Sequence, residues 1–279
     1  MSTEWSGVVS ALDVHEGFRS RVSAYLHPLA GRSTLWHVVR ALLDTTPTPG
    51  EVVVLHRDAA PTVVDVGDAP VRYVAVEAGG EARALRAALT SPGMKVLVDG
   101  AAPLVASTTI ARLLRAGEHG PVALTPDGDD APAPLAVAGH GPALASAEDP
   151  RLPAASTRVA PTEASELLRV VDRHTLGDAS TAVRDRLVRR HEREGVSFLL
   201  PATSWIDVDV RIGADTVIYP GVVLEGATDI GSECVIGPYS HILDSTIGRG
   251  VELKGWNYIC RAHVRNRAVV EPYARRGED

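Results

Sequence analysis

Side chains that can carry out proton transfer or ligand binding are concentrated late in the chain. They comprise two histidines, two aromatic residues and two cations: His241, His263, Trp256, Tyr258, Lys254 and Arg261. An imidazole ionises near neutral pH and can act as a general base. At an outward repeat position, His263 could deprotonate an acyl acceptor across a subunit interface; the alternative is an exposed or interface-packed histidine. Trp256 and Tyr258 are two residues apart and could share a face, as aromatic residues at an oligomer seam do.

Other arrangements that carry chemistry are missing from the sequence. It contains no ordered Ser-His-Asp set, no zinc-ligand spacing and no Walker phosphate-binding loop. The two cysteines, Cys234 and Cys260, do not form a Cys-x-x-Cys pair, and we expect both to be small core residues. The sequence therefore predicts no metal site.

The composition is typical of a soluble globular protein and argues against several function classes. The chain has 279 residues, 45% hydrophobic and 23% charged, a length that suits two domains. A net charge of −7 and a pI near 5.8 argue against an electrostatic nucleic-acid surface. The sequence has no apolar run long enough to span a membrane, and its first residues lack the apolar core of a signal peptide. We expect a cytoplasmic protein without nucleic-acid or membrane partners.

A six-residue rhythm organises residues 206–270. An aliphatic residue recurs at every sixth position and slips once by five, giving Ile206, Ile212, Ile218, Leu224, Ile230, Ile236, Ile242, Ile247, Leu253 and Ile259. Helices and ordinary strands do not have this period. A hexapeptide solenoid does, with three faces per coil and the aliphatic side chain inward. Glycines follow directly at Gly213, Gly231, Gly237 and Gly248, where we expect corners in conformations that a side chain opposes. The pattern predicts a left-handed parallel β-helix of about four coils.

The first part of the chain alternates between strand-like and helix-like segments. Residues 51–55 and 95–98 are β-branched apolar runs, typical of buried parallel strands. Residues 81–89 and 33–43 have helical composition, with Ser33 or Thr34 as the cap of the second. This alternation predicts a doubly wound, Rossmann-like α/β domain.

The two regions are joined by a less regular stretch and a charged helix. Residues 117–161 are rich in Ala, Pro, Gly and Asp, and they are either a flexible excursion or a remnant of further strands. Residues 180–194 predict a helix that ends at Gly195. Its arginines either bind an anion or form a solvated face. We predict an α/β domain at 1–178, a linking helix at 179–200 and a short β-helix at 201–279.

Three passages, in order along the chain, carry a family resemblance. The first is Leu26–Arg32 (Leu-His-Pro-Leu-Ala-Gly-Arg) followed by Leu35–Leu43. The second is Arg189–Val196 leading into Pro201–Val210, and the third is the solenoid with Ile218–Thr228. Together they resemble the bifunctional N-acetylglucosamine-1-phosphate uridylyltransferase/glucosamine-1-phosphate acetyltransferases (the GlmU type), as a shortened, divergent paralogue.

This resemblance implies a nucleotidyltransferase-like α/β domain that joins UTP to a sugar 1-phosphate with Mg²⁺. It also implies a homotrimeric β-helix that transfers acetyl from acetyl-CoA. Either a sugar nucleotide or an acyl-CoA would then be the ligand. The expected cofactors are therefore Mg²⁺ and acetyl-CoA, but only if the family activities survive in this chain.

The positions that carry nucleotidyl transfer in the family are altered here. Laid without gaps on residues 10–18, the glycine-rich loop has Asp13 and His15 in place of its two glycines and Gly17 in place of its arginine. The metal-binding aspartate becomes Ala101, and the metal-binding asparagine becomes Val171. Carboxylates near a triphosphate repel it. This pattern is typical of a domain kept for its structure or for altered binding.

The family's acetyltransferase positions are also altered. In one gapless alignment Tyr258 matches the family tyrosine, but the histidine, lysine and asparagine positions become Gly255, Leu243 and Val269. In a second alignment, residues 272–275 match the family's Pro-Phe-Ala-Arg, and the chain ends before that site begins. In both, the general base is missing from its expected place.

A few candidate site residues remain. Asp99 precedes the altered metal position by two residues, which keeps it on the same face of a strand. The catalytic candidates are therefore Asp99, Tyr258 and His263. The binding candidates are His27 and Arg32 in the first matching passage, where Pro28 and Gly31 also suggest a structural turn, with Gly79 and Gly100 at the base-binding and metal-loop segments.

Three hypotheses follow. The first is a divergent protein of nucleotide-sugar or amino-sugar metabolism that lacks the standard transfers and binds a ligand or scaffolds an enzyme. The second is an active nucleotidyl- or acyltransferase with a rebuilt site, using Asp99 or His263. The third is a structural trimerisation subunit. We favour the first, because a retained fold does not by itself retain an activity.

Overall fold

The computed structural model describes residues 5–57, 64–125, 133–153 and 157–277. The chain divides into two compact units. The α/β unit comprises Met1–His27 and Ser33–Ala179, and the solenoid unit comprises Pro28–Arg32 and Ser180–Asp279. Each unit has its own hydrophobic core.

The strands before residue 160 are β1 (Trp5–Ala11), β2 (Pro28–Leu29), β3 (Arg32–Ser33), β4 (Glu51–His56), β5 (Val71–Ala75), β6 (Met94–Asp99), β7 (Val122–Leu124), β8 (Ala136–His140) and β9 (Thr157–Val159). The helices are α1 (Thr34–Leu43), α2 (Glu81–Leu89), α3 (Ser107–Gly117), α4 (Gly141–Ala145) and α5 (Arg173–Arg193). The cap of α1 is Ser33, whose hydroxyl accepts a hydrogen bond from the Trp36 amide at 3.2 Å, as the sequence predicted.

The α/β unit is built on a seven-stranded sheet in the order β5-β4-β1-β6-β8-β7-β9. Strands β5, β4, β1 and β6 run parallel, and β8 is antiparallel to both of its neighbours. Apolar side chains of β1 are buried on both faces, Val9 in one core cluster and Val8 in another. Because the sheet is covered on both sides, its strands read as continuous apolar runs. The predicted doubly wound domain is confirmed.

The Ala/Pro-rich stretch contains further strands of this sheet. Strands β7, β8 and β9 and the short helix α4 come from it, which favours a remnant of strands over a flexible excursion in the described part. The rest of the stretch, residues 126–132 and 154–156, lies outside the described residues. Helix α5 starts at Arg173, earlier than the sequence suggested. Asp172 caps its first turn, because its carboxylate accepts a hydrogen bond from the Thr175 amide at 2.8 Å.

The solenoid consists of short strands stacked into three parallel sheets. The strands are β10 (Ser197–Phe198), β11 (Trp205–Ile206), β12 (Arg211–Ile212), β13 (Val217–Ile218), β14 (Val223–Glu225), β15 (Asp229–Ile230), β16 (Val235–Ile236), β17 (His241–Leu243), β18 (Thr246–Ile247), β19 (Glu252–Leu253), β20 (Tyr258–Cys260), β21 (His263–Val264), β22 (Val269–Val270) and β23 (Arg275–Gly277). The sheets are β10-β13-β16-β19-β22, β11-β14-β17-β20-β23 and β12-β15-β18-β21. Every predicted hexad aliphatic is buried, and the left-handed parallel β-helix is confirmed.

The expected reason for the glycines after the hexad positions is wrong. Gly213, Gly231, Gly237 and Gly248 do not have positive φ; the left-handed corners are held by other residues, such as Asp215 and Glu233. The four glycines are needed because successive coils approach closely. A Cβ on Gly213 would lie 2.5 Å from the Ser232 backbone nitrogen, and one on Gly231 would lie 2.7 Å from that of Arg249.

Candidate functional site

A cavity of about 110 Å³ opens at the carboxyl ends of β1 and β6 in the α/β unit. Ligands of doubly wound sheets bind at this edge, where the strands end and the loops begin. The lining combines apolar residues, Leu97, Pro134, Leu135 and Val137, with polar ones, Ser10, Asp13, Asp99, Arg151 and Arg169.

Asp99, the last residue of β6, is fixed by two contacts. One carboxylate oxygen accepts a hydrogen bond from the Ala101 amide at 2.8 Å. The other lies 2.6 Å from Nε of Arg169, an ion-pair distance at an angle that does not make a hydrogen bond. Nη2 of Arg169 donates to the carbonyl oxygens of Ala133 and Pro134 at 3.1 and 3.3 Å. Asp99 is therefore a paired and oriented carboxylate.

Asp13, the second carboxylate of the cavity, also pairs with an arginine. Nη1 of Arg151 lies 3.2 Å from its carboxylate, and the pair is more exposed than the first. The Tyr25 hydroxyl accepts from the Asp13 amide at 3.2 Å and donates to the Asp13 carbonyl at 3.3 Å. Burial, followed by the charges of Asp99 and Asp13, raises the pKa of Tyr25, so its phenol stays protonated and can act as a donor.

The loop after β1 folds back onto the segment before α5. A Cβ on Gly17 would lie 3.1 Å from the Asp172 Cβ and from the Val171 carbonyl oxygen. The Phe18 ring stacks on His27 with ring centroids 4.5 Å apart, and Nε of Arg173 donates to the Phe18 carbonyl at 3.2 Å. This loop is held by packing and by the hydrogen bond from Arg173.

Three of the binding candidates lie outside the lining of this cavity. His27 is buried beneath Phe18, and burial, with the charge of Arg173, lowers its pKa. The Gly100 amide donates to the Ser10 carbonyl at 2.9 Å, and a Cβ there would lie 3.0 Å from that same oxygen. Gly79 lies in a left-handed turn before α2 with open space around it. Of these three, none lines the cavity between β1 and β6.

Arg32 belongs to the solenoid unit, where a hairpin places it. Strands β2 and β3 are joined by Ala30 and Gly31, both at positive φ, which confirms the predicted turn. Nε of Arg32 lies 2.7 Å from the Asp209 carboxylate. A Cβ on Gly31 would lie 2.6 Å from the Asp207 carboxylate, so the glycine is required here for close packing as well as for its φ. The pair borders an open cavity of about 540 Å³.

The solenoid candidates lie on different faces. His263 is exposed on β21 and pairs in register with Thr246 of β18. Tyr258 is on β20, between His241 and Arg275 in register. The structure therefore does not bring Tyr258 and His263 together on one sheet. Trp256 does not stack on Tyr258 either; it stacks between Tyr239 and Tyr273, with ring centroids 5.8 and 5.6 Å away.

Sequence reasoning missed a contact between His241 and Glu225. Nε2 of His241 lies 2.5 Å from the Glu225 carboxylate, and both side chains are about a third exposed. The ring of Tyr258 meets the His241 ring edge to face at 5.3 Å, and the Arg275 guanidinium lies 5.0 Å from the Tyr258 centroid. The only signal in the sequence was their separation of 16 residues, close to one coil of the solenoid.

Comparison with known proteins supports both halves of this architecture. The family model for bacterial transferase hexapeptide (six repeats) matches residues 209–244. Bifunctional protein GlmU from Mycolicibacterium smegmatis is 27% identical, in an alignment covering 90% of this chain and 66% of that protein. Bifunctional protein GlmU from Bacillus velezensis is 43% identical over 109 residues, 39% of this chain and 24% of that protein.

The chain is a divergent GlmU-like protein.

The GlmU-like chain also shares its α/β fold with solved nucleotidyltransferases. A nucleotidyl transferase from Methanothermobacter thermautotrophicus superposes with a TM-score of 0.53 at 18% identity, over 68% of this chain and all of that one. The 4-diphosphocytidyl-2C-methyl-D-erythritol synthase from Anaerococcus prevotii gives 0.51 at 12% identity, over 65% and 96%. At these identities the likeness shows the fold alone. The chain spans less than two thirds of the length of the GlmU proteins that it matches.

The residues present do not fit the magnesium ion that the GlmU resemblance implies. The Val170 amide donates to the Ala101 carbonyl at 2.7 Å, so the two implied ligand positions, Ala101 and Val171, come close together, but both carry aliphatic side chains. Asp99 is already paired with Arg169. Among the described residues, no group of three or more histidines, cysteines or carboxylates could hold a metal ion.

The positions that one alignment assigns to the acetyl-CoA site of GlmU also carry other residues. Gly255, at the position of the family histidine in one alignment, has a φ of 114°, and a Cβ there would lie 3.0 Å from Pro238. This position therefore disfavours any side chain. Leu243 and Val269 provide no proton-transfer group.

Across the described ranges, no helix has the length and apolar character needed to cross a membrane.

Proposed function

We propose that this chain acts in nucleotide-sugar or amino-sugar metabolism as a ligand-binding relative of GlmU. Its α/β unit binds a sugar nucleotide without magnesium-dependent uridylyl transfer. The observation that carries the proposal is the pairing of both cavity carboxylates with arginines, Asp99 with Arg169 and Asp13 with Arg151. A carboxylate already paired with a guanidinium is a poor ligand for Mg²⁺, which keeps several of its waters and takes its few protein ligands from available carboxylate oxygens in near-octahedral geometry.

Binding itself is supported by the cavity. It lies at the edge where doubly wound sheets bind ligands, and it combines an apolar wall with a few polar groups, as small-molecule sites do. Of the two ion pairs, Arg151 and Asp13 form the more exposed one. Arg151 can turn from Asp13 to a ligand phosphate, because arginine binds phosphate through paired N–H groups.

Native mass spectrometry with added UDP-N-acetylglucosamine, UTP with Mg²⁺, and acetyl-CoA tests the proposal. We expect uptake of UDP-N-acetylglucosamine that persists in EDTA, without pyrophosphate release from UTP. An Arg151→Ala variant should bind the sugar nucleotide about tenfold more weakly, the loss of one charge-assisted contact. Magnesium-dependent uptake of UTP followed by turnover would contradict the proposal.

We propose that the solenoid assembles the chain as a homotrimer that presents three α/β units to a partner enzyme. Hexapeptide solenoids bury their aliphatic positions internally, so their outer faces remain available for packing between copies. The exposed row of Tyr239, Trp256 and Tyr273 offers aromatic surface for such packing. The mass of the ligand-free protein in the same experiment tests this: a monomer contradicts it.

Acyl transfer on the solenoid is a second candidate function, favoured by the contact of His241 with Glu225. When Nε2–H donates to the carboxylate, Nδ1 keeps its lone pair and can accept a proton from an acceptor group. The proton is assigned to Nε2 because the carboxylate can only accept a hydrogen bond. His241 would then replace the missing family histidine as general base.

Thiol release from acetyl-CoA in the presence of glucosamine 1-phosphate tests this second candidate. Replacing a general base costs a factor of about 10² or more. We expect His241→Gln to show this loss, whereas loss in His263→Gln alone would assign the base to His263. An unchanged rate in both variants, or no thiol release by the wild type, removes the candidate.

A further inference from the structure

The hydroxyl of Ser10 is an unpaired polar group inside the cavity of the α/β unit. Ser10 lies on β1 among apolar neighbours, is 3% exposed, and its Oγ has no hydrogen-bond partner among the described residues. A buried hydroxyl without a partner destabilises a fold relative to alanine of similar shape. The other side chains of β1 are apolar or have hydrogen-bond partners. The unpaired hydroxyl of Ser10 therefore suggests that a partner is missing.

The missing partner must approach from the cavity. Ser10 lines it and is the register partner of Asp99 on β6, so the two side chains point to the same face about 4.8 Å apart. A serine hydroxyl both donates and accepts, and the Asp99 carboxylate accepts only. Neighbouring groups of this kind can hold adjacent hydroxyls of one ring.

The charges of the cavity favour a neutral group at this position. Beside Ser10, the Asp99 carboxylate is paired with the Arg169 guanidinium, so this part of the cavity has no net charge to attract a phosphate. Beside Ser10 and Asp99, on the same face of the sheet, lie the aliphatic side chains of Leu97 and Val137. A sugar ring matches both kinds of lining, since its hydroxyls need polar partners and its C–H groups pack on apolar surface.

We infer that this cavity takes the neutral, hydroxyl-bearing ring of a sugar, and that Ser10 selects the ligand by hydrogen-bonding a ring hydroxyl beside Asp99. The inference rests on the proposed function for the nucleotide part of the ligand, but the ring site itself does not require a nucleotide. It also explains why β1 keeps a buried hydroxyl at the point where it meets the cavity.

Ser6 offers a matched control for the test. It lies four residues earlier on β1, so its side chain points to the same face, but its hydroxyl accepts a hydrogen bond from Nζ of Lys95 at 3.2 Å. Without ligand, Ser10→Ala should keep or raise the urea midpoint, because it removes an unpaired group. Ser6→Ala should lower the midpoint, because it leaves a buried ammonium without its partner.

The decisive measurement is the dissociation constant of the full-length chain for N-acetylglucosamine, glucose, monodeoxyglucoses and UDP-N-acetylglucosamine, by NMR titration. We expect Ser10→Ala to bind its sugar at least about tenfold more weakly, while Ser6→Ala binds like the wild type. One monodeoxyglucose should lose affinity for the wild type but not for Ser10→Ala.

The outcomes separate this inference from the proposed function. If UDP-N-acetylglucosamine binds equally to the wild type and Ser10→Ala, sugar-nucleotide binding stands and the role of Ser10 is overturned. If free sugars bind through Ser10 but no nucleotide adds affinity, the ring site stands and the proposed nucleotide ligand fails. If no sugar in the panel binds, the inference is overturned.

Discussion

A carboxylate oxygen of Asp99 lies 2.6 Å from Nε of Arg169, at the carboxyl edge of the sheet in the α/β unit. The arginine occupies the side of the carboxylate that a cation would need. Because of this pairing, Asp99 and Arg169 can orient a ligand at this edge of the sheet and can accept or donate hydrogen bonds. A cation at Asp99 would have to compete with Arg169 and with the Ala101 amide for the carboxylate.

Removing the guanidinium should weaken the α/β unit. Arg169→Ala leaves a mostly buried carboxylate without its countercharge and two backbone carbonyls without their donor, so we expect the free energy of unfolding to fall by about 2 kcal/mol, measured by urea denaturation. Arg40→Ala is the control, because Arg40 pairs with Asp44 on the exposed surface of α1 at 2.7 Å. That change should cost less than about 0.5 kcal/mol. Equal losses in the two variants would show that the Asp99 pair acts as an ordinary surface pair.

Restoring the two implied metal ligands should make the protein respond to magnesium. In the double variant Ala101→Asp/Val171→Asn, two oxygen ligands enter positions that the backbone already brings together. Without metal, the buried new carboxylate should lower the melting temperature. Saturating Mg²⁺ should raise it by a few degrees, because a ligand that binds only the folded state stabilises it. The wild type should not respond, and a variant whose melting temperature ignores Mg²⁺ would contradict the assignment of this pair of positions.

The stability of the solenoid unit should fall on mild acidification because of His191. Its side chain is buried on α5, and burial, with the charge of Arg190, holds its pKa below the ordinary value of 6.5 despite an opposing effect of Glu194. Below pH 6.5 the unfolded chain therefore binds more protons than the folded chain, and stability decreases until the pH reaches the folded pKa. Above pH 6.5 the effect vanishes.

Urea unfolding of the wild type and His191→Gln at several pH values between 5 and 8 checks this prediction. The variant should be less stable at pH 8 and should lose less stability between pH 6.5 and 5. His27 in the α/β unit has a pKa shifted in the same direction, so a part of the acid loss should remain in the variant. If the two curves run parallel, protonation of His191 does not contribute.

Two glycine-to-alanine changes should have opposite signs. Gly177 lies within α5 with open space around it and without positive φ, so Gly177→Ala should stabilise by about 1 kcal/mol through helix propensity. Gly231→Ala puts a Cβ 2.7 Å from the backbone of the next coil and should cost about 2 kcal/mol or more. Thermal unfolding followed by circular dichroism measures both. A tolerated alanine at Gly231 would show that the coils can separate to admit a side chain.

Local sequence patterns predicted most of the fold. The hexad aliphatics specify the solenoid because each coil repeats the same inward position, and the apolar runs of β4 and β6 specify central strands because they are buried on both faces. The same patterns led to a wrong reason for Gly213 and Gly231, since the distance between coils is a property of stacking that no single hexad reveals.

The sites were harder to predict, because their contacts join residues far apart in the chain. Asp99 was identified as a candidate, but its pairing with Arg169 depends on how the segment before α5 crosses the edge of the sheet. His241 was noticed as a histidine, and Glu225 was not considered. Their contact appears only when the coil length fixes which outward positions are neighbours.

The stacking of the solenoid in parallel coils has a kinetic consequence. Each coil contacts only the coils directly before and after it, so an interior coil cannot open until its neighbours have released it. Backbone amides should therefore exchange with deuterium in a graded order along this unit, slowest around β16 to β18 and faster toward β10 and β23. Protection would decrease toward both ends, in place of the single cooperative limit expected of a globular core.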